Sequence, residues 1–480
     1  MNGLSISPDE QKSSKTKTDE YEKKSCSCIR RGTFPFFLSL SSFWFGFAAL
    51  LTSAASVIWP SQCQALIGKH RKDLYLGVLT AATSGVTFIG TPIVGTISDH
   101  FSSKYGRRRP IMLLGLVVAI VFLLWASRIK AGTPFWQFLL ISLAWSCGAT
   151  VANSPFIALM PDVTPEDKRG IASSFLTLMM ACGALTGGLS AGLLARPNDY
   201  TKVYPLICLL LIVFALPTFL FIREEPLDPN HPPLRMSEFF SSFMAQGPQY
   251  RDLWIVTHSR FWFDMGVCGL LPYLQYFFTD MLNIPTAGGQ AEQYSAGVVV
   301  AVVAFSIPSA ICGGALSDRF SKKSLLYVAC VIMTLPMVAL IVSSLLSPAV
   351  WIVLSAGSIF GTGYGLFLAV DWSLATSVLP KASQAGKDMG VFFSVGNILP
   401  QVFSPLISGF ILSEMKERDL ISMAYLILFS LEILYFFLAA IILVPVRENS
   451  KNQLDPSLLP IESQYSHIRS AVSSDEAIVL

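Results

Sequence analysis

The sequence contains little charge: only 14% of its 480 residues are Asp, Glu, Lys or Arg. A soluble domain usually carries about 25% charged residues, whereas 52% of this chain is hydrophobic. The net charge of +3 is too small to indicate a nucleic-acid partner. The composition therefore argues against an ordinary soluble domain and favours a protein that crosses a membrane.

The sequence also lacks the patterns that mark secreted scaffolds and enzymes. Its nine cysteines are scattered, and only Cys63 falls in a predicted external loop, so we expect no disulfide framework. The polar first 33 residues have no apolar core, so we expect no secretory signal peptide. We find no metal-ligand cluster, nucleotide-binding loop or Ser/His/Asp arrangement in a suitable context, and we expect neither an enzyme nor a cofactor.

What the sequence does contain is repeated apolar runs of membrane-spanning length. They predict an all-α membrane protein of twelve transmembrane helices. The first six form an N-terminal bundle (34–222), followed by a central loop (223–252) and a C-terminal bundle (253–445), with polar tails at 1–33 and 446–480. The predicted spans are 34–59, 74–98, 110–128, 135–160, 171–195, 203–222, 253–279, 294–317, 324–346, 349–379, 388–412 and 420–445.

The distribution of Lys and Arg predicts the orientation. With the N-terminus in the cytoplasm, the internal loops hold 14 Lys and Arg and the external loops hold 9. Positive loops favour the cytoplasmic side. We therefore expect both termini to be cytoplasmic.

An internal repeat supports this layout. Polar and glycine residues at the ends of helices recur in the second half at a constant offset of 219 residues. Two six-helix bundles related by a parallel repeat are an architecture of secondary transporters. The repeated pairs are Gly95 and Gly314, Asp99 and Asp318, Pro161 and Pro380, and Lys168 and Lys387.

The loop between helices 2 and 3, GTISDHFSSKYGRRRP, concentrates positive charge beside Gly95 and Asp99. An anchor on the cytoplasmic side explains the basic residues but not the Gly-x-x-x-Asp pair. A small residue lets a neighbouring helix approach closely, and a carboxylate at a helix C-terminus needs a cationic partner. We expect that partner to be Arg107 or Arg109.

This loop resembles the signature of the major facilitator superfamily. With MPDVTPEDKRGIASS (160–174) and GTGYGLFLAVDWSLATSVLPKASQAGKDMG (361–390), it is most similar to the sucrose-transporter-like branch and the related glycoside–pentoside–hexuronide:cation symporters. The loop signature begins with Arg in that branch and with Lys104 here. The resemblance implies two halves that rock about a central site, with a cytoplasmic latch formed by Asp99, Arg107 and Arg109 and, in a weaker second copy, by Asp318 and Arg319.

Charged residues inside the spans are candidates for transport chemistry, because charge in a bilayer is costly. Arg260 and Asp264 lie four residues apart on one helical face, where they could form a structural ion pair or contact a substrate. If the pair is only structural, each single neutralisation should destabilise the protein and the double should recover. Asp371 has no opposite charge within one helical turn, which favours a role in proton coupling. Glu432 favours a packing or surface role.

We assign proton coupling to Asp371 and Asp264. Members of the resembling branch often carry acidic residues or an Arg deep in helices 2 and 4, but this sequence has no such charges there. Coupling therefore uses Asp371, Asp264 or Glu432, or it does not occur. Amide and aromatic groups suit sugar hydroxyls and rings, although they could equally form interhelical contacts. The predicted substrate-binding residues are Asn153, Arg260, Trp372, Asn397 and Gln401.

The leading hypothesis is a secondary active transporter of a small solute, most simply a sugar moved with H⁺ by alternating access. The alternatives are an exporter or uniporter of another organic solute, and a transporter-like nutrient sensor. Cys26 and Cys28 could be lipidated. Patterns at 455–459 and 465–468 resemble signals for sorting adaptors, so we expect a plasma-membrane or an endosomal/lysosomal location.

Overall fold

The structure is a computed structural model. The tail patterns, Cys26, Cys28, Asp318 and most of the central loop lie outside the described residues. The structure describes residues 32–69, 71–101, 103, 106–164, 168–196, 199–222, 224, 248–285, 288–317, 319–346, 349–379 and 385–446.

Over these ranges the chain forms twelve helical rods, as apolar segments of this length require. Two rods contain a π-helical turn, Ala54–Ile58 in α1 and Ser394–Ile398 in α11. The rods are α1 Phe34–Ile67, α2 Lys72–His100, α3 Arg109–Ala126, α4 Phe135–Val163, α5 Arg169–Leu194, α6 Val203–Phe221, α7 251–280, α8 Gln290–Ser317, α9 Lys322–Leu345, α10 Val350–Ser377, α11 385–417 and α12 Ile421–Ile442.

Eleven rods in the described part of the chain are long and apolar enough to cross a membrane. The remaining rod, α7, joins Arg251–Leu270 to Leu274–Asp280 through one 3₁₀ turn and carries Arg260 and Asp264 near its middle. The prediction of an all-α, multi-pass membrane protein is confirmed.

Several helices extend further than their apolar runs indicate. The predicted span 294–317 begins instead at Gln290, and the predicted span 388–412 continues to Glu417. The added turns carry Glu292 and Lys416, which hydropathy assigns to loops. Both side chains have polar partners in neighbouring helices: Glu292 accepts a hydrogen bond from Ser61, and Lys416 pairs with Asp73 and Asp280.

Each half of the chain packs mainly with itself. In the first half α1 packs on α5 and α6, and α4 packs on α2 and α3; in the second half α10 packs on α8 and α9, and α12 packs on α7 and α9. The two bundles meet through α2 against α11 and α5 against α8. These two pairs form most of the interface between the bundles, and α1 adds contacts with α7 and α8.

A glycine seam brings α10 against α8, where Gly357, Gly361 and Gly365 recur every four residues. A Cβ on Gly361 or Gly365 would collide with the α8 backbone at Val302 or Ser306. The same device joins α5 to α1, where Gly183 lies on the backbone of Phe45. Such close backbone approach is a common means of helix association in membranes, where the apolar surroundings supply little hydrophobic driving force.

The bundles meet at one end and separate at the other. At the sealed end, formed by 59–77, 271–296 and 405–417, a Cβ on Gly77 would strike the backbone at Pro405. At the open end, formed by 89–101, 169–178 and 305–317, apolar side chains such as Ile89 and Ile311 are exposed, and nothing lies within 4 Å of a Cβ built on Gly314. The structure is therefore a conformation with access to the interior from one end.

The glycine seam generates a stability prediction. Gly361→Ala should lower the unfolding temperature of the purified protein, because the added methyl group must push α8 and α10 apart. Gly314→Ala in α8 adds the same methyl group to open space and gains helix propensity of about 1 kcal/mol, so it should leave the unfolding temperature equal or higher. Equal unfolding temperatures for the two variants would show that the seam contributes nothing.

Candidate functional site

Three charged side chains meet in the interior of the second bundle. Arg260 of α7 places Nη1 2.5 Å from Oδ2 of Asp371 in α10 and Nε 3.3 Å from Oδ2 of Asp264 one turn along α7. All three are buried, with Arg260 only 4% exposed. One guanidinium therefore serves two carboxylates, a cluster called here the Arg260 triad.

The π-helical turn of α11 packs on the aliphatic part of the Arg260 side chain. Gly396 in this turn lies on Arg260, whose Cδ would be 3.2 Å from a Cβ at that position. The ring of Phe392 lies 5.3 Å from the guanidinium carbon, at cation–π distance. Since π-helical turns are frequent at functional sites, local backbone geometry and the charge cluster point to the same place.

Two predicted substrate residues continue the triad along α11. Asn397 donates from Nδ2 to Oδ2 of Asp264 at 2.9 Å, and Gln401 donates to the carbonyl oxygen of Asn397 at 3.2 Å. Both amides are partly exposed. They connect the buried charges to a less buried surface of α11.

The other predicted substrate residues lie apart from these contacts. Trp372 follows Asp371 and is 50% exposed, with its ring 6.4 Å from that of Phe392. Asn153 lies in α4 of the first bundle, and its Oδ1 is buried with no hydrogen-bond partner. No described contact joins Asn153 to the triad.

Asp371 differs from its sequence interpretation in one respect. The absence of an opposite charge within one helical turn suggested an unpaired carboxylate, whereas Asp371 is paired with Arg260, which lies 111 positions away in the chain. This pairing also changes the expected result of neutralising both Arg260 and Asp264. The double variant should not recover the full stability, because it would leave the buried Asp371 without its cation.

The latch residues form a charge network inside the first bundle. Arg108, only 4% exposed, lies 2.9 Å from both Asp99 of α2 and Asp162 of α4. Arg107 also pairs with Asp162, and Arg109 donates to the carbonyl of Phe219 in α6. The partner of Asp99 is therefore Arg108, instead of Arg107 or Arg109, because Arg108 is the side chain that turns inward between the two helix ends.

Glu224 is a member of this network that sequence reasoning missed. Its Oε2 accepts hydrogen bonds from the backbone N–H groups of Arg108 and Arg109, at 2.9 and 3.3 Å. A carboxylate at the first N–H groups of a helix complements the helix dipole. In the second copy, Asp318 lies outside the described residues and Arg319 is exposed.

The sealed end contains a second network that the sequence did not indicate. Lys72 lies 2.8 Å from Asp280, and Lys416 lies 2.8 Å from Asp73 and 2.5 Å from Asp280. The hydroxyl of Tyr425 donates to Asp280 at 3.0 Å. The two bundles are thus joined by a neutral group of two cations and two anions.

Exposed and backbone contacts surround this group, called here the sealed-end quartet. Arg71, just before α2, pairs with Glu417 at the end of α11 at 2.5 Å. Tyr273 donates to the carbonyl of Asp73 at 3.3 Å, and Tyr276 donates to that of Pro60 at 2.9 Å. In sequence the signal is that these charges stand at the ends of three spans, Lys72 and Asp73 in α2, Asp280 in α7 and Lys416 in α11.

Comparison with known proteins places the chain in a family. The sequence model of the Major Facilitator Superfamily matches residues 32–400. The multi-drug resistance efflux pump PmrA of Streptococcus pneumoniae is 24% identical over 361 residues, which cover 72% of this chain and 82% of the pump.

Solved structures share the fold at low sequence identity. A D-xylose-proton symporter aligns with a TM-score of 0.65 and 16% identity, covering 87% of this chain and 98% of the symporter. The nucleoside transporter NupG aligns with a TM-score of 0.62 and 10% identity, covering 85% of this chain and 98% of that one. These similarities concern the fold alone.

The triad generates a stability prediction with a graded series. Arg260→Met should destabilise the protein by about 3–5 kcal/mol, because it leaves two buried carboxylates without a cation. Adding Asp264→Asn should recover part of the loss, and adding Asp371→Asn as well should recover most of it. Thermal unfolding of the purified protein in detergent measures the series.

An exposed pair provides the control for this series. Arg418→Met removes a cation from a pair whose side chains are 64% and 41% exposed, so the unfolding temperature should hardly change. If the Arg260→Met protein unfolds at the same temperature as the native protein, the triad does not stabilise the bundle.

The sealed-end quartet generates a prediction about accessibility. Asp280→Asn leaves Lys72, whose side chain is 2% exposed, without its carboxylate and should therefore favour separation of the bundles at this end. Cys63 is fully buried there, near Tyr273 and Tyr276 of the opposite bundle. Its labelling by a water-soluble maleimide, read by peptide mass spectrometry, should accelerate at least about tenfold.

The matched control is Glu414→Gln, which breaks the exposed pair with Arg418 nearby and should leave Cys63 labelling unchanged. Unchanged labelling in Asp280→Asn as well would mean that the quartet does not keep this end closed.

Proposed function

Because the chain belongs to the Major Facilitator Superfamily, we propose that this membrane transporter couples the movement of a small polar solute, a sugar in the first place, to protons. The observation that supports proton coupling is the Arg260 triad. One cation faces two buried carboxylates, so the cluster carries an excess negative charge when both are ionised. Uncompensated charge inside a membrane is costly, and uptake of one proton removes it.

Asp371 is the carboxylate that we assign to the proton. Asp264 receives a hydrogen bond from Asn397 in addition to its contact with Arg260, and this donor stabilises its charged form. The described polar contacts of Asp371 are with Arg260 alone. The proton therefore resides more easily on Asp371, and its arrival frees Arg260 to bind Asp264 or solute.

The partly exposed groups beside the triad suit a polar solute. Asn397 and Gln401 each offer a donor and an acceptor, as hydroxyl groups of a sugar require. Trp372 is half exposed and follows the proton-binding residue directly, so a ring stacked on it would lie close to the coupling charge. In this proposal Asn153 contributes from the opposite bundle.

Alternating access would exchange the roles of the two ends. The predicted orientation places the open end in the cytoplasm and the sealed-end quartet outside. When the open end closes, Arg107, Arg109 and Asp99 are available to meet the second bundle near Arg319. In this conformation the described latch contacts are formed within the first bundle.

The second candidate function is proton-driven export of an organic solute. It is favoured by the similarity to PmrA, a multi-drug resistance efflux pump, over most of both chains. Both candidates use the same triad and differ in the solute and in the direction of net transport. Proteoliposomes with an imposed pH gradient of either sign, tested with a panel of labelled sugars and of cationic drugs, distinguish them.

This function predicts the behaviour of Asp371→Asn. The variant should fail to concentrate solute in response to a pH gradient, because Asn cannot take up and release the proton. It should still exchange solute down a concentration gradient, because the amide keeps the shape and hydrogen bonding of the acid. Accumulation and counterflow in proteoliposomes measure the two properties separately.

Asp419→Asn is the matched control, since this exposed loop residue has a φ of 61° that Asn also adopts, and both activities should persist. An Asp371→Asn protein that concentrates solute as the native protein does would remove Asp371 from the coupling mechanism.

A further inference from the structure

Glu292 is a buried acidic residue in the contact between the two bundles. It belongs to the first turn of α8 at the sealed end and is 1% exposed. The Arg260 triad and the sealed-end quartet do not include it. Unlike the acids of those two clusters, Glu292 has no ion-pair partner among the described residues.

The contacts of Glu292 cross the interface. Its Oε1 accepts a hydrogen bond from the hydroxyl of Ser61 in α1 of the opposite bundle at 2.7 Å, and another from Nε2 of Gln275 in α7 at 3.3 Å. Tyr200 donates to the Ser61 hydroxyl at 3.1 Å. One turn along α8, Ser295 donates to the carbonyl of Ser56 at 2.9 Å. Separation of the bundles at this end would break these contacts.

The same pocket holds more acceptors than donors. Oε2 of Glu292 and Oε1 of Gln275 are both buried without a hydrogen-bond partner among the described residues. Buried polar atoms are nearly always paired, so two unpaired acceptors need an explanation. A neutral carboxylic acid has one O–H donor that a carboxylate lacks. One added proton therefore removes the negative charge and supplies a missing donor.

Neighbouring charges do not remove the need for that proton. The two lysines of the sealed-end quartet are bound to Asp73 and Asp280. Arg196, after α5, is the cation whose field reaches Glu292, and it donates to the carbonyl of Ala195 at 3.0 Å.

The elements packed on α8 near Glu292 bring few titratable groups. α5 contributes Gly192, against Ala296 and the backbone of Glu292, and α10 contributes Gly357, against Val298. The titratable groups on the facing elements are Cys63 in α1, Tyr273 and Tyr276 in α7, Tyr200 before α6 and Tyr204 within it.

We propose that Glu292 is a proton-binding site linked to closure of the sealed end. It is a neutral acid when the bundles meet there and a carboxylate when they part. On opening, the carboxyl group loses Ser61 and meets water, and its O–H bond breaks to release H⁺ into the water on that side. On closing, the carboxylate takes H⁺ back from the same water. The inference rests on the proposed alternation of the two ends but not on Asp371.

The sign of the pH dependence follows from linkage. The closed state binds one more proton than the open state, so acid favours the sealed end and rising pH favours its opening. One linked proton changes the ratio of the two states by at most about tenfold per pH unit. The effect requires neither solute nor a gradient.

Labelling of Cys63 in the purified protein tests the proposal. The maleimide rate at Cys63 is divided by the rate of the same reagent with a small soluble thiol at each pH, so that the pH dependence of thiol chemistry is largely removed. Between pH 5.5 and 8.0 this ratio should rise at least about tenfold in the native protein. In Glu292→Gln, which is neutral at every pH, it should stay at its low-pH value.

Two controls separate this site from the other buried acids. Glu432→Gln removes a fully buried acid of α12, outside the sealed end, and should keep the native pH response. Asp371→Asn should also keep it, even if that variant has lost coupled transport, so failure of the proposed function and failure of this inference are distinguishable.

Two outcomes would overturn the proposal. One is a ratio in the native protein that does not change with pH, which is decisive even if Glu292→Gln cannot be produced. The other is a pH response of the labelling ratio that persists in Glu292→Gln. If that response is then lost in Asp371→Asn, the linked proton belongs to the Arg260 triad.

Discussion

One guanidinium shared by two buried carboxylates is the constraint on which the second bundle depends. Burial of the Arg260 guanidinium requires a carboxylate partner, and neither acid can remain ionised there without Arg260. The triad ties α7 to α10, and Asn397 adds α11. Because the number of charges is odd, the cluster cannot be neutral with all members ionised, and this imbalance connects its stability to proton binding.

The two ends of the molecule use charge differently. The sealed-end quartet is balanced, crosses the interface and is mostly buried, so it favours one arrangement of the bundles without requiring a proton. The latch network is formed within the first bundle, with Arg108 between Asp99 and Asp162. A transporter must not stabilise either closed end too strongly, since a population shift requires comparable free energies for both states.

Buried acids that have no ion-pair partner in the part of the chain that the structure describes form a third class. Glu292 lies at the interface, whereas Glu432 lies inside the second bundle, beside Gly269 and the hydroxyls of Ser404 and Ser408. Glu432 is therefore not a surface residue, and the absence of a side chain at Gly269 leaves room for its carboxyl group. Of the two, only Glu292 has contacts that opening of the sealed end would break.

The sequence by itself determined the features that depend on local periodicity. Apolar runs of membrane length predict the spans, and the i,i+4 spacing of Arg260 and Asp264 predicts their contact. The four-residue spacing of glycines in α10 predicts a close approach by another helix, and the structure identifies that helix as α8. Only the tertiary structure decided which distant charges meet, such as Arg260 with Asp371, Lys416 with Asp73 and Ser61 with Glu292. The physical reason is that neighbours on one helix follow from its repeat, whereas neighbours on different helices follow from how the rods pack, rotate and close at one end.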